Sequence, residues 1–266
     1  RQMCIRDRLY RYLTKIGHYF RPMRMSKLNF LFPLFFFLLA IPALAQREDV
    51  GNYEYDREYL LGINKNTNGG MIGGFALKVG SRIDDSQFAY FGLELANVKH
   101  PKEVRYSTVT GNNYIFGKSN YLYAIRPHYG RELILFKKAP NQGVQVSALA
   151  AIGPSIGLIA PYFIEYALNR VETVVEPYDP TIHQSRFNIL GTGQLLEGVG
   201  QSKLAIGGMA KAALHFEFGV FKSNATGLEV GYQLEGFHKK IPLIPTAENK
   251  QFFQSAYFTL FFGFRK

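Results

Sequence analysis

The 266-residue chain has one cysteine, Cys4, and no tryptophan. A single cysteine in the first few residues leaves the rest without a disulfide framework, a thiol catalyst or a Cys-based metal site. After residue 45 no run of about 18 apolar residues remains, so a membrane protein built from spanning helices is excluded. Strands whose apolar residues alternate are not excluded by that test. No Gly-x-Ser-x-Gly elbow occurs, and no His/Asp/Glu cluster has metal-ligand spacing. The glycine pairs Gly191-Thr192-Gly193 and Gly198-Val199-Gly200 lack the strand-before, helix-after context of a phosphate cradle.

Excess positive charge is confined mainly to the front of the chain. The formal net charge is +11, but residues 1–45 hold eight Lys/Arg and one Asp, leaving 23 Lys/Arg against 19 Asp/Glu from Gln46 onward. A basic isoelectric point would otherwise suggest nucleic acid; here no nucleic-acid partner is expected. Met25-Ser-Lys-Leu-Asn begins a short basic region, Phe30 to Ile41 is apolar, and Ala43-Leu-Ala45 precedes Gln46. That is the layout of a secretory signal peptide over 25–45, cleaved between Ala45 and Gln46. Residues 1–24 read as a sequencing artefact or translated upstream sequence, with the start at Met25 or Met23. Residues 46–57 are polar and acidic and read as a periplasmic lead-in.

What the chain has in abundance is period-two patterning. From Lys203 to Val220, Leu204, Ile206, Gly208, Ala210, Ala212, Leu214, Phe216, Phe218 and Val220 form one row without a polar side chain. The alternate row carries Lys203, Lys211, His215 and Glu217 among small residues. Alternation of this kind is a β-strand with different surroundings on its two faces. Eighteen residues exceed the roughly 9–11 that cross a bilayer as a tilted strand. Seven further segments alternate likewise, at about 58–65, 71–83, 87–98, 119–134, 143–158, 228–238 and 249–265. Their connections alternate in length: those after the second, fourth and sixth strands are short, and those after the third, fifth and seventh are long. Such sorting fits a barrel with periplasmic turns at one end and surface loops at the other.

This pattern over 58–266 resembles small eight-stranded outer-membrane barrels of the OmpA/OmpX architecture, in the style of Bacteroidetes members. Tyr257-Phe-Thr-Leu-Phe-Phe-Gly-Phe264 is similar to the aromatic closing strand that barrel-assembly machinery recognises, although the chain ends on Arg265-Lys266. The expected fold is therefore all-β: an eight-stranded antiparallel up-and-down transmembrane β-barrel behind a cleavable signal peptide, in the outer membrane of a Gram-negative bacterium.

By parity the inward face holds Lys78, Arg82, Glu94, Arg126, His128, Glu132, Lys203, Lys211, His215, Glu217, Glu229 and Glu235. Five Lys/Arg stand against five Glu, and in an enclosed lumen mixed charge implies ion-paired networks. The expectation is a packed polar plug; the sharper alternative is an ion path or proton switch through His128 and His215. No cofactor, metal or catalytic residue is expected. The function read from these residues is a non-enzymatic envelope protein whose specificity lies in loops 99–118, 159–201 and 239–248. Expected partners are outer-membrane lipid or lipopolysaccharide, met by a basic second loop with Lys99, Lys102, Arg105 and Lys118, and an envelope protein or glycan. Two alternatives stay open: a soluble periplasmic lipocalin-like barrel with its apolar rows inside, and an outer-membrane lipid hydrolase or acyltransferase, for which His183 and Ser185 are the nearest candidates.

Overall fold

The computed structural model describes residues 56–69, 73–108, 111–137, 143–169, 171–194, 197–218 and 224–266. The expected upstream sequence (1–24), the expected signal segment (25–45) with its Ala45–Gln46 cleavage site and nearly all of the expected lead-in lie outside the described residues.

The described residues form thirteen strands: β1 (Arg57–Asn66), β2 (Gly74–Arg82), β3 (Gln87–Val98), β4 (Arg105–Ser107), β5 (Asn113–Ile115), β6 (Asn120–Phe136), β7 (Gln145–Pro161), β8 (Phe163–Ala167), β9 (Thr173–Pro177), β10 (Ile189–Thr192), β11 (Lys203–Phe218), β12 (Asn224–Phe237) and β13 (Phe252–Arg265). Eight of them close an antiparallel barrel in the order β1-β13-β12-β11-β7-β6-β3-β2. Closure is made by β1 against β13, with Tyr59 opposite Phe264 and Ile63 opposite Leu260. A closed ladder leaves no unpaired edge in the wall.

The period of two decides which residues face where. In β13, Phe252, Phe258, Leu260, Phe262 and Phe264 are exposed outward while Phe253, Tyr257, Thr259 and Phe261 are buried. In β2 and β3, Phe75, Leu77, Val79, Phe91 and Leu95 point out, and Lys78, Tyr90 and Glu94 point in. Outward aromatics meet across strands: Tyr59 stacks on Phe264 at 5.2 Å and Phe91 lies 5.1 Å from Tyr129. Phe88 shares the inward parity of Tyr90, Gly92 and Glu94. Small residues inside make room for large ones. A Cβ on Gly92 would run into the His128 ring opposite it, and one on Gly227 into the His215 ring.

The strand ends Arg82 and Gln87, Phe136 and Gln145, and Phe218 and Asn224 gather at one end of the barrel, where the short connections join them. The strand ends Asn66 and Gly74, Val98 and Asn120, Pro161 and Lys203, and Phe237 and Phe252 gather at the other. Two stretches expected to be plain loops are folded. β4 pairs with β5, and β8 lies between β10 and β9 in a three-stranded sheet. Tyr114, Ile115, Tyr162, Ile164, Tyr178 and Ile189 form an apolar core beneath them, flanked by Tyr106, Phe116, Tyr121 and Tyr166. β7 runs through Pro161 and Tyr162 almost directly into β8, so this loop platform is rooted in the barrel wall.

Candidate functional site

The lumen is built from side chains that the strands deliver at every second position. Nearest the short turns, Arg265 of β13 donates from Nε and Nη2 to Glu58 of β1 at 2.9 and 2.7 Å. It also donates from Nη1 to Glu217 of β11 at 2.7 Å. One guanidinium thus ties three strands together, as its rigid fork of donors permits. Deeper in, Lys78 pairs with Glu132, whose other oxygen lies 3.0 Å from His215 Nδ1. The Lys78 ammonium sits 4.6 Å over the Tyr90 ring. Lys211 donates to Glu94 at 2.7 Å and to Glu229 at 3.2 Å, and the Tyr257 hydroxyl donates to Glu229 at 2.7 Å. Toward the loops, Arg126 clamps Glu235 through two bonds of 2.9 and 2.7 Å, and the Ser155 hydroxyl adds a third contact to the same carboxylate. His128 Nδ1 lies 3.0 Å from the Arg126 carbonyl oxygen.

Above this network the lumen becomes apolar. Val98, Leu122, Ala124, Ile159, Ala205, Phe237 and Phe253 point inward from the wall, and Ile241 and Leu243 of the last loop pack among them. The loop is held in place by its backbone: Ser119 N–H donates to the Leu243 carbonyl at 2.9 Å, and Asn120 Nδ2 to the Pro242 carbonyl at 2.7 Å. Buried charge below and a hydrocarbon layer above leave the arrangement able to rigidify a barrel and to oppose the passage of ions. A nucleophile hydrogen-bonded to a base and set beside an oxyanion site is the arrangement acyl transfer needs. The lumen's carboxylates are instead committed to cations and hydroxyls.

Of the residues placed inward by parity, Lys78, Glu94, Arg126, His128, Glu132, Lys211, His215, Glu217, Glu229 and Glu235 are buried in the lumen. Two are not. Lys203 is exposed because it is the first residue of β11, at the loop-side edge of the apolar layer, level with Ile159. Arg82 ends β2 and pairs with Asp85 across the next turn. Glu58, Tyr90, Ser155, Tyr257 and Arg265 were missed as members of the network. Parity was the available signal: Arg265 continues the inward row Tyr257, Thr259, Phe261 but reads as a chain end.

The loop platform is the second candidate region. Arg186 lies 4.9 Å from the Tyr106 ring and 4.5 Å from the Phe116 ring. The Tyr162 hydroxyl accepts the Ile115 N–H at 2.9 Å, and burial pushes its own ionisation well above the usual tyrosine range. His183 is buried with both ring nitrogens engaged. Nδ1 accepts the Asp179 N–H at 2.9 Å and Nε2 lies 2.9 Å from Glu176 Oε1. It therefore serves to hold the 176–183 segment, and no bond to Ser185 is formed among the described residues. The basic second loop is also reduced: Lys118 is fully buried, donates to Glu103 at 2.8 Å and sits 4.3 Å over the Tyr121 ring. Burial lowers its ionisation range despite the attraction of Glu103. Lys102 and Arg105 remain exposed. Among the described residues no group of three or more His, Cys, Asp or Glu side chains is placed to hold a metal ion.

No protein-family model and no curated protein matches this chain. Solved structures do. Ail, the attachment invasion locus protein of Yersinia pestis, in complex with the heparin analogue sucrose octasulfate, aligns at 8% identity over 80% of this chain and 100% of that one, with a TM-score of 0.36. Neisserial surface protein A aligns at 11% identity over 80% and 97%, with a TM-score of 0.37. The N-terminal β-barrel domain of Pseudomonas aeruginosa OprF aligns at 8% identity over 80% and 98%, with a TM-score of 0.34. The fold assignment rests on the chain's own closed ladder of eight strands.

Proposed function

We propose that this chain is a non-enzymatic outer-membrane β-barrel protein. Its closed, charge-filled wall anchors a folded surface platform that binds another envelope component, a protein or a glycan. The observation that carries this reading is the inversion of polarity: ionised side chains are buried inside while Ile152, Phe91 and Phe252 stand outward at 69%, 68% and 73% exposure. Water on the outside would penalise so broad an apolar surface, whereas a bilayer favours it. The same inversion counts against the lipocalin-like alternative, which needs an apolar interior for its ligand. The apolar layer containing Ile241 and Leu243 supports a closed barrel over an ion path.

The test is gel migration of detergent-extracted protein with and without boiling, beside protease treatment of intact cells. The reading expects a heat-dependent shift and cleavage confined to the long connections. Protein recovered in the soluble periplasm, with no shift, would sink it.

A further inference from the structure

The outer wall is not uniform. Around β1, β2 and β3 it is studded with Leu61, Ile63, Phe75, Leu77 and Phe91. Further round the ring, at the loop end of β11, β12 and β13, a cavity of 1130 Å³ opens in the outward surface. Its floor is made by Gly208, Ala210 and Gly236, and its banks by Ile152, Ile206, Leu234 and Phe252. Two glycines make it deep. A Cβ on Gly208 would meet nothing closer than 3.8 Å, so that position faces open space, whereas one on Gly236 would press the Phe252 ring at 2.8 Å.

Two polar features distinguish the cavity from a dent filled by any hydrocarbon chain. Gln254 lines it from an outward position. Its amide oxygen accepts from the Tyr232 hydroxyl at 2.9 Å, and its N–H donors have no partner among the described residues. In an apolar setting such donors need an acceptor. At the loop-side rim stand His238 and Lys250. Lys250 is exposed and forms no ion pair among the described residues. The neighbouring Lys240 adds a second exposed cation, while Lys239 caps the Leu204 carbonyl at 3.1 Å.

We propose that this cavity is a lipid-binding groove for an acylated lipid whose phosphate headgroup carries net negative charge. Its phosphate lies against Lys250 and His238, its glycerol backbone crosses Gly208 and Gly236, an acyl carbonyl accepts from Gln254, and the chain runs on from Ala210 away from the loops. Pairing sets Gly208, Gly236 and Phe252 at one level and Ala210, Leu234 and Gln254 at the next level in from the loops. The wall therefore presents cation, then small residues, then amide, the order of phosphate, glycerol and acyl carbonyl in such a lipid. Cations at a membrane surface attract anionic headgroups. This rests on the membrane reading above.

The chain has no tryptophan, so one introduced indole reports on its own surroundings. The full chain would be reconstituted as two reporter variants, Leu234→Trp at the groove and Leu77→Trp on β2, three strands round the wall. The vesicles would be phosphatidylcholine containing a minor fraction of brominated phosphatidylglycerol, which quenches indole on contact. The expected result is about fivefold stronger quenching at the groove, the ratio one lysine supplies at a membrane surface. Lys250→Gln should remove that excess, and Gly208→Phe, which fills the groove without a backbone clash, should remove it too. Equal quenching at both positions would overturn the groove alone. Excess quenching at the groove by brominated phosphatidylcholine and phosphatidylglycerol alike would overturn the selection of a net anionic headgroup by Lys250 and His238. No quenching of either reporter would overturn the membrane reading and the groove with it.

Discussion

The barrel lumen and the loop platform solve the same problem with opposite materials. The lumen is filled by Lys78, Lys211, Arg126 and Arg265 against Glu58, Glu94, Glu132, Glu217, Glu229 and Glu235. The platform is filled by Tyr114, Tyr162, Ile164, Tyr178 and Ile189, with buried His183 held by a backbone N–H and a half-exposed carboxylate. A water-facing module hides its apolar groups, and the platform does so. The strands below have their apolar row turned outward, and the alternation of a β-strand then leaves only the polar row for the interior. Burial is equally complete in the two places, but an ion network tolerates the loss of a single partner far less well than an aromatic core tolerates a trimmed ring edge.

That contrast can be broken in graded steps. The largest effect is expected for Glu132→Ala, which strips Lys78 and His215 of their common partner. It should cost about 3–5 kcal/mol, read as the urea midpoint of the barrel in detergent by circular dichroism. If the variant unfolds where the parent does, the network is not what rigidifies the wall. Replacing the pair together, as Lys78→Met with Glu132→Leu, removes both charges. Its loss should be clearly smaller than that of Glu132→Ala alone, since no bare lysine remains opposite an apolar side chain. A double-mutant cycle measures the difference.

Damage to the platform should stay local. Tyr162→Phe leaves the Ile115 N–H buried without its acceptor and should destabilise the platform by about 1–3 kcal/mol. Faster proteolysis within 162–202 with an unchanged heat shift of the barrel is the expected signature. Arg186→Ala removes the cation between Tyr106 and Phe116 and should weaken the same region by about 0.5–2 kcal/mol, seen as earlier cleavage near 178–188. Smallest of all, Lys203→Gln should leave stability within about 0.5 kcal/mol of the parent. Lys211→Gln, eight residues along the same row, should not. Equal effects at the two positions would erase the distinction between strand end and lumen.

Lys203 and Lys211 also mark how far the residue pattern reached. Both stand on the inward row of β11, and alternation alone treats them alike. What separates them is position along the strand, which puts Lys203 opposite Ile159 at the exposed, loop-side edge of the apolar layer and Lys211 opposite Ala151 in the middle of the network. Arg265 is the converse case, a terminal cation that closure of β1 on β13 carries to Glu58. The paired strands of the platform went unread because β4, β5, β8, β9 and β10 are only three to five residues long. Elements that short have too few alternations to stand out from loop sequence.

The chain by itself determined that eight long strands alternate in polarity, that their apolar row is the bulky one, and that short and long connections take turns. Those follow from local chemistry, because a strand's two faces are written two residues apart. Only the tertiary structure decided which cation meets which carboxylate, that the last loop sends Ile241 and Leu243 into the mouth, and that two long connections fold on one tyrosine-rich core. Those depend on the stagger of strands around a closed ring and on contacts between residues more than a hundred positions apart, such as Arg126 with Glu235 and Asn120 with Pro242. No periodicity within one strand encodes them.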